Sequence, residues 1–160
     1  MTDKPTSTGW RILTDDLSGA AVHALLEEHL DAMEDTAPPE SRHELDLDGL
    51  RQPGITFWTA WDANNLAGCG AMKELDDEHG EVKSMRTSSH YHQRGVASAL
   101  LEHLLSEARS RGYKRVSLET GSMAFFEPAR RLYKKHGFEY CGPFGDYKDD
   151  PLSAFMAIEL

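Results

Sequence analysis

Cysteine is scarce in this chain: Cys69 and Cys141 are the only two among 160 residues. They lie far apart and lack metal-ligand spacing, so a disulfide scaffold and a zinc module are excluded and buried free thiols are expected. Positive charge is also short. Seventeen Lys and Arg residues stand against 27 Asp and Glu residues, a formal net charge of −10, which argues against a nucleic-acid surface. No apolar run approaches the length of a membrane span, and the start Met1-Thr2-Asp3-Lys4-Pro5 has no apolar signal-peptide core. A cytoplasmic protein with neither membrane nor nucleic-acid partners is expected. Gly-x-Ser-x-Gly, Walker and paired-Cys patterns are missing, which removes three common catalytic frameworks.

What is present suits one compact domain, with residues 1–9 as a flexible tail and 10–160 as the folded unit. Trp10 to Leu13 predicts a short strand. Ser18 is placed to cap a helix in which Val22, Leu25, Leu26, His29 and Met33 share a face, closed by Pro38-Pro39. Leu45 to Leu50 predicts a second short helix. Ile55–Trp61, Leu66–Leu75 and Glu81–Thr87, separated by Asp/Asn/Gly turns, read as three successive antiparallel strands. After Gly95, the apolar stripe Val96, Leu100, Leu101, Leu104, Leu105 and Ala108 marks a helix that stops at Gly112. Lys114–Thr120 should then lie parallel to Glu81–Thr87. Pro128 opens a last helix ending at His136-Gly137, and Phe138–Tyr140 with Ser153–Glu159 form a terminal hairpin. The fold class is α/β: a mixed, mostly antiparallel sheet flanked by helices.

The most informative stretch runs from Ser84 to Leu101. A strand ends in polar residues, Gly95 follows, and an amphipathic helix begins at once. Unpaired N–H groups and the positive end of a helix dipole then face the mouth of a strand, where an anion is held. Small residues at Gly95 and Ala97 permit close approach of a phosphate, and Arg94 adds a guanidinium fork. An ordinary crossover with a solvated Arg94 shows the same pattern, so these residues alone leave both readings open.

Two motifs within this order resemble the GCN5-related N-acetyltransferase (GNAT) superfamily. His92-Gln93-Arg94-Gly95-Val96-Ala97 is similar to its Arg/Gln-x-x-Gly-x-Gly/Ala loop, and Ala129-Arg130-Arg131-Leu132-Tyr133-Lys134-Lys135-His136-Gly137-Phe138 to its Ala-x-x-Leu-Tyr-x-x-x-Gly-Phe signature. The likeness spans Trp10 to Leu160 and is closest to bacterial small-molecule acetyltransferases. It implies a splay between the Glu81–Thr87 and Lys114–Thr120 strands that holds acetyl-CoA as acetyl donor. Met85, Arg86 and Thr87 would pair with the pantetheine arm, and His92, Gln93, Arg94, Gly95, Val96, Ala97 and Ser98 would surround the pyrophosphate. Phe126 would pack on the arm, where many members carry asparagine.

The resemblance also gives Tyr133 the role of proton donor to the departing thiolate, against the plainer reading of a half-buried aromatic bonded to a carbonyl. Glu119, near the end of a central strand, is either paired with Arg86 or Lys83 or contacts substrate or a relay water. Glu81 is the alternative base. The acceptor pocket is expected between the first helix, the Pro38–Leu50 loop and the splayed sheet. His29 reads as a core histidine or an acceptor contact, Met33 as packing, and Glu40, Arg42 and His43 as a covering or solvated loop. Lys83, Arg86 and Glu119 together suit an acceptor bearing an amine and a carboxylate. His90-x-His92 has no further ligand at motif spacing, so no metal is expected. The implied function is transfer of acetyl directly to a small-molecule, amino-acid-like amine. A non-catalytic acyl-CoA sensor and a protein N-acetyltransferase are the alternatives, and a homodimer is one expectation.

Overall fold

The computed structural model describes residues 10–34 and 47–160. Along the chain stand β1 (Arg11–Thr14), α1 (Ala20–Glu34), α2 (Leu47–Leu50), β2 (Ile55–Asp62), β3 (Asn65–Asp76), β4 (His79–Thr87) and α3 (Val96–Ser110). β5 (Arg115–Gly121), α4 (Glu127–Lys135), β6 (Glu139–Cys141) and β7 (Ser153–Glu159) complete the order, with 3-10 turns at Ser89–Tyr91 and Ala124–Phe126. The strands form one seven-stranded sheet in the order β1-β2-β3-β4-β5-β7-β6. β4 and β5 are parallel, joined through α3, and the other neighbours are antiparallel. This is the mixed, mostly antiparallel α/β fold expected from the sequence.

Side chains alternate across the sheet, so residues in direct register share a face. Met72, Val82, Leu118 and Met156 stand in one such row and are buried with Leu100, Leu101 and Leu104 of α3, Tyr133 of α4 and Phe138. The opposite face carries a second cluster, Phe57, Cys69 and Ala71 under Val22, Leu25 and Leu26 of α1 and Leu50 of α2. On that second face the next row is charged: Lys73, Glu81 and Ser117 are in register, with Lys83 and Glu119 two residues further along β4 and β5.

The parallel pairing of β4 and β5 covers only His79 to Val82 against Arg115 to Leu118. Past that point β4 carries a bulge. Cys69 pairs with Arg86 and Ala71 with Lys83, so β4 uses one more residue than β3 over the same span. Ser84 takes a left-handed conformation there, with φ of 56°. A bulge bends and twists its strand, so β4 stays with β3 while β5 continues with β7 from Glu119 to Gly121. The two central strands part into the expected splay.

Two local expectations need correction. Ser18 does not cap α1, which starts at Ala20; its hydroxyl donates instead to Asp16 Oδ1 at 2.6 Å. Cys69 is buried, but Cys141, on the short edge strand, is only partly covered. Residues 1–9, the Pro38-Pro39 stop and Glu40, Arg42 and His43 lie outside the described residues, as do the side chains of His29 and Met33.

Gly68 shows how closely β3 seats against the start of α3. A Cβ added there would lie 2.7 Å from the Arg86 carbonyl oxygen and 2.8 Å from Val96 Cγ1. Gly68→Ala should therefore cost about 1–3 kcal/mol by overpacking. At about 2–4 °C per kcal/mol for a domain of this size, a thermal melt followed by circular dichroism will show a clear drop in Tm.

Candidate active site

The splay opens into a cavity of about 410 Å³ on the charged face of the sheet. Lys83 to Arg86 of β4 line one wall and Leu118 to Thr120 of β5 the other. Gly49 to Pro53 (without Arg51) and Ile55 approach from the α2 side, and Lys73, Glu81, Tyr133 and Tyr147 complete the lining. Such a volume suits a small molecule. Its floor is a network. The Tyr147 hydroxyl donates to Glu81 Oε2 at 2.6 Å, and Lys83 Nζ stands 3.5 Å from the same oxygen and 3.4 Å from the Tyr147 hydroxyl. Glu81 is only 3% exposed, and a buried carboxylate needs such donors. Burial, with Glu81 beside it, raises the pKa of Tyr147 far above the ordinary phenol value, so Tyr147 remains a donor. Its ring packs edge-on against Phe144 and Phe155, which seats the loop that carries it.

Glu119 accepts a hydrogen bond from Ser153 Oγ on β7 at 2.8 Å. Arg86 lies at the back of the splay. Its Nη1 donates to the Met85 carbonyl at 2.7 Å, while Nε is buried without a protein partner. Burial lowers its pKa, against the raising influence of Cys69, Tyr133 and Glu119. Tyr133 reaches the cavity from α4, 7% exposed and packed on Phe138. Burial pushes its phenol up to about 12, partly offset by Arg86, and no hydrogen bond contributes. It therefore carries its proton throughout the neutral range.

At the far end of β4 the chain turns through Ser89–Tyr91 into α3. Gln93 and Gly95 both have left-handed backbones, with φ of 60° and 87°. Gly95 caps α3 with no side-chain hydrogen bond, and Ala99 N–H bonds back to the Gly95 carbonyl at 3.0 Å. The amides of Val96, Ala97 and Ser98 thus have no partner within the helix. Arg94 lies over the Tyr91 ring at 4.8 Å and the Trp10 ring at 5.8 Å, and the Tyr91 hydroxyl donates to Asp62. Glu28 of α1 accepts from both Ser89 N–H and Ser89 Oγ, at 3.1 and 3.2 Å, and fixes the turn from behind. The exposed His92 donates from Nε2 to the Thr87 carbonyl at 3.3 Å. Among the described residues no cluster of His, Cys, Asp or Glu could hold a metal ion, and no helix is long and apolar enough to cross a membrane.

A parted central strand pair, with open amides at its mouth, is the frame in which the chain's relatives become informative. The Acetyltransferase (GNAT) family model matches residues 22–138. The chain belongs to the GNAT family. Over 149 residues this GNAT protein is 58% identical to the uncharacterized N-acetyltransferase YsnE of Bacillus subtilis, covering 93% of this chain and 99% of YsnE. It is 52% identical over 149 residues to the uncharacterized N-acetyltransferase YedL of Escherichia coli, covering 93% and 94% of the two chains. It is accordingly an N-acetyltransferase. Among solved structures, a Klebsiella pneumoniae protein described as an acyl-CoA N-acyltransferase superposes with a TM-score of 0.76 at 25% identity, covering 96% of this chain and 99% of that one. A GNAT acetyltransferase of Elizabethkingia anophelis with acetyl-CoA bound superposes with a TM-score of 0.66 at 17% identity, covering 97% and 100%. That second likeness is one of fold.

In this GNAT chain the splay brings Glu81, Lys83, Met85, Arg86, Glu119 and Tyr133 to one cavity. Thr87 ends β4, and His92 and residues 93–98 form the turn beyond it and the first residues of α3. Of the two cations expected near Glu119, Lys83 pairs with Glu81 on its own strand, whereas Arg86 feels the Glu119 charge, and Ser153 Oγ donates to Glu119. Phe126 is half-buried, edge-on to Phe125, over a position that only a glycine leaves open, because a Cβ at Gly121 would collide with its ring. Arg130 Nη1 bonds the Gly121 and Met123 carbonyls at 2.6 and 3.0 Å and holds that turn. Among the described residues α1 supplies no cavity wall, contrary to the sequence expectation; α2 and the chain to Ile55 do. Lys73 was not singled out from the sequence, and Tyr147 drew notice only within the segment Pro143-Phe144-Gly145-Asp146-Tyr147, with no site role assigned to it. A phenylalanine-tyrosine pair in a Gly/Pro/Asp loop, and a lysine within an otherwise buried strand, were the signals available.

Gly95→Glu places a carboxylate where the backbone needs φ of 87°. The strain of about 1–3 kcal/mol should lower Tm without unfolding the protein. Acetyl-CoA at about a hundred times its Kd should stabilise the wild type by about 2.7 kcal/mol, and a thermal-shift assay should find that gain lost in the variant.

Proposed function

We propose that this protein transfers the acetyl group of acetyl-CoA directly to the amine of a small-molecule acceptor. The observation that carries the reading is the splay itself, with an unpaired β4 edge, open helix amides at one end and a proton-bearing phenol inside. The residues present fit the donor. From Lys83 to Thr87, β4 has no ladder partner on its β5 side, so the backbone of Met85, Arg86 and Thr87 is available to an extended amide-bearing arm. The amides of Gln93 to Ser98 and the helix dipole suit a pyrophosphate, with Arg94 as the fixed cation and His92 beside it. Phe126 offers an apolar ring near the arm.

Bound acetyl-CoA supplies a thioester carbonyl open to attack by an amine and a thiol as leaving group. The protein's part is proton management and orientation. Tyr133 holds a proton on its hydroxyl oxygen at the cavity wall and is the proposed donor. Glu119 and Glu81 are the proposed acceptors for the proton of the incoming amine, either directly or through water. Glu119 lines the same cavity as Tyr133, and Glu81 is held by Tyr147 and Lys83. Lys83 is proposed to contact the acceptor, as are His29 and Glu40, whose side chains lie outside the described residues. Cys69 supports direct transfer over a covalent acetyl-enzyme: burial pushes its thiol up to about 12, leaving no thiolate at neutral pH.

Steady-state kinetics with a panel of small amines tests this. Tyr133→Phe should lower kcat by about 10²- to 10⁴-fold, the range for a general acid, while the KM for acetyl-CoA stays near that of the wild type. Full turnover in that variant excludes the donor role. Glu119→Gln and Glu81→Gln should each be followed over pH, and an unchanged pH–rate profile in both removes the carboxylate-base reading.

A further inference from the structure

The charged row on the second sheet face contains one cation that the reading above does not use. Lys73 on β3 is in direct register with Glu81 on β4 and lines the acceptor cavity. It also borders a second hollow of about 310 Å³ beneath the Gly145–Lys148 loop. Lys83 is engaged by Glu81 and Tyr147, and Arg86 donates from Nη1 to the Met85 carbonyl while its Nε stays buried without a protein partner. Lys73, half-buried, has no carboxylate within ion-pair distance among the described residues. The other ionisable wall of the cavity, Glu119 with Tyr133, lies across the splay, on the far side of β4 from Lys73. Lys73 is thus about two strand spacings, or 9.6 Å, from β5. Across the cavity from Glu119, Lys73 therefore presents an ammonium beside Glu81 on a partly desolvated floor, where attraction for an anion is stronger than in water.

We propose that the acceptor is an amino acid, with its carboxylate held by Lys73 and its amine turned toward Glu119 and Tyr133. This rests on the acetyltransferase reading and deepens it: Lys73 is a specificity-determining residue and the β3 end of the cavity is a carboxylate subsite. Tyr147 borders that end, where its hydroxyl donates to Glu81, the register partner of Lys73. An amine lacking a carboxylate leaves the Lys73 ammonium without a partner, which is the source of the discrimination. Ile55 beside Lys73 gives the subsite an apolar edge for an acceptor side chain.

The test compares the twenty amino acids with their primary amides, which keep the amine and the size but lose the negative charge. Release of free CoA thiol is followed, and acetyl-CoA binding is read separately by thermal shift. At least one amino acid should exceed its amide by about ten-fold or more in kcat/KM, the effect of one charge-assisted contact. In Lys73→Gln that ratio should collapse toward one, with amide turnover and the KM for acetyl-CoA unchanged. Lys73→Arg should restore most of it. Equal use of acids and amides by the wild type, or a Lys73→Gln loss shared by both, overturns the carboxylate subsite. Turnover of simple amines only, with the acetyl-CoA shift intact, overturns the amino-acid acceptor and leaves the donor site standing. Loss of the acetyl-CoA shift in the wild type overturns the underlying reading instead.

Discussion

One extra residue in β4 governs the architecture of this protein. Between two fixed pairs, Cys69 with Arg86 and Ala71 with Lys83, β3 advances two residues and β4 three. The mismatch is absorbed at Ser84 by a left-handed backbone, which costs conformational energy for a residue other than glycine. It turns β4 away from β5 after only four paired residues. Continued pairing as far as Thr87 would bond the edge of β4 to β5 and close the cavity, and Tyr133 would face a wall of backbone. The site exists because a parallel ladder was interrupted at a defined place.

The opening also explains where the charges sit. A sheet face covered by helices is ordinarily apolar, and the α3 face obeys that rule from Met72 to Met156. The other face does so only under α1 and α2, around Phe57, Cys69 and Ala71. Beside that cover, Lys73, Glu81, Lys83, Ser117 and Glu119 occupy consecutive positions with the same pleat. Glu81 is compensated by a phenol and an ammonium, Glu119 by a serine hydroxyl and Ser117 by His79 at 2.7 Å. Two hydrophobic layers carry the fold while this strip is given over to polar chemistry.

Much of this was written plainly in the sequence. The period-3.6 stripe from Val96 to Ala108 is α3, Ser153–Glu159 is β7 to the residue, and Gly95 directly precedes α3 as expected. Local chemistry sufficed in each case. The bulge at Ser84 was hidden because no glycine or proline marks it; tertiary packing imposes it on an ordinary serine. Lys73 and Tyr147 were hidden for a different reason. Their role comes from register and from a contact spanning 66 residues between Glu81 and Tyr147, and neither pattern nor propensity reports such separations. Ser18 shows the opposite failure, a correct cap residue type one place too early whose hydroxyl was drawn to Asp16.

Arg94 is held in place by the folded chain itself. Its guanidinium lies against two aromatic rings, Tyr91 and Trp10, which stand edge-on to one another at 5.6 Å, and Tyr91 is tethered by Asp62. A long side chain on a surface loop ordinarily samples many rotamers and gives up that freedom when it meets a ligand. Here the restriction is already present in the folded chain, so the entropy is lost during folding rather than at encounter. The aromatic shelf converts a mobile charge into a fixed one, so the ability of the proposed anion loop to meet its ligand would depend in part on two rings outside the loop's own backbone amides.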